Sequence, residues 1–79
     1  MLTTGNQLKA ARALAGIDQH TLANRAGINV NTVSAMEKRG AQTLTSGLEK
    51  ITAVMRVLED AGIEFLNHGN PGVRLKAKE

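Results

Sequence analysis

Apolar side chains recur at helical spacing up to residue 61 and then switch to alternation, so the chain reads as helices followed by short strands. The first helix, residues 5–15, opens at Thr4, and Gln7 three positions later completes a reciprocal capping pattern. Its inward stripe is Leu8, Ala11, Arg12 and Ala15, flanked by Leu14, and Gly16 stops it. Arg12 is the anomaly, a charge on an apolar stripe. Asp18 caps a short second helix over residues 19–26, which Gly27 ends. Asn29 then caps a third helix, residues 30–38, with Val33 and Met36 turned inward and Gly40 beyond its end. After a loop of Ala41, Gln42, Thr43 and Leu44, a longer helix over residues 46–61 is expected, opened by a Ser46–Glu49 capping box. Leu48, Ile51, Val54, Met55, Leu58 and Ala61 form its apolar stripe, and Gly62 ends it.

The tail alternates. Ile63 and Phe65 are expected to share one face and Val73 and Leu75 another, in strands at about 63–66 and 73–76. Pro71–Gly72 fits a turn with Pro second and Gly third, and Gly69-Asn70-Pro71-Gly72 reads as the hairpin connection rather than a phosphate-binding loop. A two-stranded hairpin is marginal in water, so it needs the fourth helix beneath it or a second copy beside it. The expected fold is therefore mainly α: about four helices and a C-terminal hairpin or edge strand, in a single domain over residues 1–79.

Composition limits what such a domain can do. At 79 residues and 8.4 kDa, it buries roughly 60% of the surface of its unfolded chain, which leaves a thin core. There are no cysteines, which excludes disulfides, thiolate metal sites and thiol catalysis. His20 and His68 are far apart and read as surface imidazoles, so no metal or other cofactor is expected. No apolar run reaches the ~18 residues of a membrane span, and the start of the chain lacks a signal-peptide pattern; a soluble cytoplasmic protein is expected. Ser34 has no evident His and carboxylate partners, and the scattered carboxylates make no acid/base pair, so no enzyme is expected.

The charge is unevenly distributed. The formal net charge is +3. Residues 1–44 hold Lys9, Arg12, Arg25, Lys38 and Arg39 against Asp18 and Glu37. Residues 45–68 are acidic through Glu49, Glu59, Asp60 and Glu64, and the tail is basic again through Arg74, Lys76 and Lys78. A basic N-terminal half suggests one face turned toward polyanions.

Residues 19–38 narrow this further. Two short helices meet across a three-residue turn; Leu22, Ala26, Ile28, Val33 and Met36 hold the pair, and Ala23 sits where only a small side chain fits. Gly27 supplies the left-handed residue of the turn. The run from Asp18 to Glu37, with small Ala23, turn Gly27 and aliphatic Ile28 and Val33 at the expected spacing, resembles the XRE family of phage-repressor and Cro-type helix-turn-helix regulators. The match covers about residues 6–40. The tail, Ala61 to Leu66 and Pro71 to Leu75, also resembles the ending of very small bacterial members.

The resemblance implies that Arg12 pairs with Glu37, locking the first helix to the third, and that Gln19 binds a DNA phosphate together with free N–H groups at the start of the second helix. The residues themselves add the outer face of the third helix: Val30, Asn31, Thr32, Ser34, Ala35 and Lys38, small and mostly uncharged. Asn31 suits adenine N6 and N7, while Val30 and Ala35 suit thymine methyls. Lys38, Arg39 and Thr43 are expected on phosphates, and Asn29 divides its side chain between capping and the DNA.

The expected function is sequence-specific binding of double-stranded DNA as a homodimer on an inverted-repeat operator, with half-sites about 34–36 Å apart, as a repressor or autoregulator. Phe65, Val73 and Leu75 are the dimerisation candidates, with the fourth helix as the other possible interface; Arg74, Lys76 and Lys78 could alternatively form a basic wing. The competing reading is an antitoxin or adaptor that holds a protein partner such as a toxin. Single-stranded RNA fits poorly, because Phe65 is the only aromatic residue.

Overall fold

The computed structural model describes residues 1–67, 69 and 71–76; His68, Asn70 and Lys78 lie outside the described residues. Its elements are α1 (Gly5–Ala15), α2 (Gln19–Ala26), α3 (Val30–Lys38), α4 (Leu48–Asp60), β1 (Ile63–Leu66) and β2 (Gly72–Leu75). This is a mainly α bundle closed by an antiparallel hairpin.

Local chemistry explains the first three helices. Thr4 and Gln7 form the reciprocal capping box of α1. Asp18 caps α2, its Oδ1 accepting the Thr21 N–H at 2.7 Å, and Asn29 Oδ1 accepts the Asn31 N–H at 2.8 Å at the start of α3. Gly16 and Gly27 terminate α1 and α2 at φ 71° and 70°, left-handed values that are costly for a residue with a Cβ.

α4 departs from expectation. Gly47 is its N-cap, with no side-chain capping bond, so the Ser46–Glu49 box does not form. The preceding chain is anchored by buried Leu44, whose N–H donates to Thr3 O at 2.8 Å, and by a bridge between Thr4 and Thr43. That anchor sets Ser46 one residue ahead of the cap. Leu48 consequently begins the helix at 66% exposure instead of joining the stripe, and Val54 and Leu58 carry the burial, with Ile51, Met55 and Ala61 half-buried.

The core gathers Leu8 and Ala11 of α1, Leu22 and Ala23 of α2, Val33 and Met36 of α3, Val54 and Leu58 of α4, and Ile63 of β1. Leu2 and Leu44 complete it from outside the regular elements. Gly5 brings α1 against the end of α3: a Cβ there would collide with the backbone carbonyl of Met36 and lie 2.8 Å from Gly40 N.

The hairpin pairs Ile63 with Leu75, Glu64 with Arg74, Phe65 with Val73 and Leu66 with Gly72. Two expectations change here. Gly72 begins β2 and is not among the glycines of positive φ, so Pro71–Gly72 is not the centre of the turn. Directly paired residues share a face, so Ile63, Phe65, Val73 and Leu75 all lie on one side. That side packs onto α1 and α4, with Phe65 and Val73 against the core and Leu75 left 49% exposed.

Gln7 fastens this arrangement. Only 2% of it is exposed. Its Nε2 donates to Leu66 O at 3.1 Å and Gly72 O at 3.2 Å, the facing ends of both strands, while its Oε1 accepts the N–H groups of Thr3 and Thr4 at 2.9 and 3.1 Å.

Candidate nucleic-acid interface

α2 and α3 meet through the turn at Gly27, where the Ile28 N–H donates to Ala23 O at 3.0 Å. Ala23 is 3% exposed; a larger side chain would force the two helices apart. α3 is seated against α1 and α2, burying Val33 and Met36.

Arg12 and Glu37 form an ion pair with two parallel bonds, Nε to Oε2 at 2.8 Å and Nη2 to Oε1 at 3.2 Å. Arg12 Nη1 also donates to Ile17 O at 3.0 Å, in the segment between α1 and α2. One guanidinium thus joins α1, α3 and the segment between α1 and α2. The Glu37 bond holds Arg12 above its ordinary pKa against the opposing effect of burial. Glu37, the one acidic residue of α3, is therefore neutralised inside the fold and its charge is withdrawn from the outer surface.

Gln19 joins the same cluster. Its Nε2 donates to Glu37 Oε1 at 3.1 Å, and Thr21 N–H is taken by Asp18. Two of the donors expected to face a phosphate at the start of α2 are thus engaged within the chain. The sequence carries no local sign of the Gln19–Glu37 bond, because its partners are 18 residues apart.

On the outward side of α3, Asn31, Ala35 and Lys38 are exposed, and Thr32 and Ser34 are half-buried. Val30 differs from expectation: it is half-buried and packs against the core at the helix start, so less of it is offered to a ligand. Asn29 is exposed, yet its Oδ1 is committed to the cap. Arg39 follows α3, and its Nε donates to Thr43 O at 3.1 Å, bracing the loop. Four of the five guanidinium N–H donors remain beyond that bond. Among the described residues the ion pairs are Arg12–Glu37 and Arg74–Glu64, so Lys38 and Arg39 are not neutralised by a carboxylate.

The arrangement therefore offers a helix whose exposed ridge carries one amide, one methyl and the Lys38 ammonium, with half-buried Arg39 just beyond its end. Among the described residues no helix is long and apolar enough to cross a membrane. No family model matches the chain, and no curated protein is significantly similar to it.

Proposed function

We propose that this chain binds double-stranded DNA sequence-specifically as a homodimer, with α3 in the major groove, and acts as a repressor or autoregulator at an inverted-repeat operator. The observation that carries the reading is the outer ridge of α3. The helix is locked from behind by Val33, Met36 and the Arg12–Glu37 pair, while Asn31 and Lys38 have no side-chain partner among the described residues. The resemblance to XRE-family regulators points the same way.

In this reading Asn31 bonds to adenine N6 and N7, and Ala35 touches a thymine methyl. Lys38 and Arg39 neutralise phosphates, with Thr43 at the edge of the contact, and supply the salt-dependent part of the affinity. Gln19 contributes through its second N–H while the first stays on Glu37.

The test is selection of bound duplexes from a random library at near-physiological salt, followed by sequencing. An enriched inverted repeat is expected, with half-sites about one helical turn apart. Enrichment of no sequence would overturn the reading and favour a protein partner, such as a toxin, as the main ligand.

A further inference from the structure

We propose that the dimer forms through α4, packed antiparallel against α4 of a second copy of this chain. The inference rests on the dimeric form of the reading above and names its interface. Leu48, at 66%, is the most exposed large apolar residue of those described. Helical spacing puts Ile51 and Met55 on its side of α4, both half-buried, so one flank of the helix carries the core's apolar surface out into solvent. The hairpin has less need of cover, because Phe65 and Val73 already pack on this chain's own core.

Charge selects the partner and its direction. Glu49 and Arg56 are both exposed, stand two turns apart beside the apolar flank, and belong to no ion pair among the described residues. A two-fold axis near Ile51 and Thr52 sets Leu48 against Met55 of the second copy, and the reverse. The same operation brings Glu49 within about 3 Å, along the helix axis, of Arg56 of the second copy, once at each end of the contact. A parallel two-fold would instead carry the two copies of Glu49, and of Arg56, to opposite flanks of the seam, where neither meets its counter-charge. Leu48 and Met55 lie about 10 Å apart along the axis, enough for two separate apolar contacts flanking the two-fold. An interface built from a single 13-residue helix on each side is small, so a dimer of micromolar strength is expected.

Sedimentation of the full chain without DNA, from about 1 to 300 μM, should approach twice the 8.4 kDa chain mass. Leu48→Glu, at an exposed site, should keep its helical circular dichroism yet weaken the dimer about 30-fold or more. Glu49→Arg and Arg56→Glu should each weaken it, and the two together should restore it. A monomer throughout the range overturns the proposal. So does a dimer insensitive to Leu48→Glu, or one broken only by Leu75→Glu, or failure of the double exchange to restore pairing. The DNA reading fails separately: it fails if wild-type dimer selects no sequence, whereas monomeric Leu48→Glu should still hold a single half-site.

Discussion

Arg12→Ala is expected to be among the most damaging single substitutions in this fold. It removes both bonds to Glu37 and the bond to Ile17 O. The Glu37 side chain, 6% exposed, would retain only the Gln19 amide as a side-chain donor. Breaking a buried ion pair from one side costs about 3–5 kcal/mol, because the surviving charge is stranded. The Arg12 side chain is 20% exposed, so water offsets part of the loss and the lower end, about 3 kcal/mol, is expected. A domain of this size holds about 4–12 kcal/mol in all, so the melting temperature should fall by about 12–24 °C. Urea unfolding followed by circular dichroism measures the loss directly. Arg12→Lys, which keeps the charge but not the fork, should cost less, and Arg12→Met with Glu37→Met together should recover much of the stability, since no charge is then stranded. A loss below about 1 kcal/mol for Arg12→Ala, the range of an exposed pair, would refute the reasoning.

Four other outcomes are expected. Gly5→Ala should destabilise by about 1–3 kcal/mol in thermal melts although Ala is the better helix former, because its Cβ would run into backbone of Met36, Glu37 and Gly40; a stabilised variant would mean that α1 and α3 do not approach so closely. Gln7→Leu should strand the N–H groups of Thr3 and Thr4 together with two strand-end carbonyls, costing about 2–4 kcal/mol, and amide exchange should quicken across the hairpin before the helical core loosens. The Asp18 carboxyl lies below its ordinary value of 3.8, chiefly because the Thr21 N–H bonds to it. Its contribution is full above the unfolded value and is lost as pH falls through the lower folded one. In acid titrations Asp18→Asn, which keeps the cap, should therefore lose less stability than the wild type. On DNA, Asn31→Ala should cost about 1–3 kcal/mol on the selected site and relax one base position, whereas Lys38→Ala should weaken all sequences alike and flatten the salt slope by about one; equal losses on specific and random duplexes would remove Asn31 from base reading.

The first three helices were legible in the sequence to the residue. Thr4, Asp18 and Asn29 cap groups two or three positions away, and Gly16 and Gly27 end helices by their own backbone freedom, so both ends are decided by neighbours in the chain. The start of α4 was misread for the opposite reason. Its position follows from Leu44 being drawn into the core and from the bridge between Thr4 and Thr43, and no local pattern reports either. The candidate site divides in the same way. The outer ridge of α3 follows from helical spacing alone, but the retreat of Val30 toward the core and the capture of Gln19 by Glu37 do not.

Local pattern alone thus set α1, α2 and α3, the sharp turn between α2 and α3 and the alternation of the tail, since all of these depend on groups within a few residues of one another. Tertiary structure alone decided which strand faces paired, why Gln7 is buried, why Gly5 has no room for a side chain, and which apolar residues remained exposed on α4. The strand pairing joins residues up to 12 apart, and the Gln7 bonds to Leu66 and Gly72 span 59 and 65 residues. Their free energies arise only when the packed elements exclude water between them, a condition that no local pattern encodes.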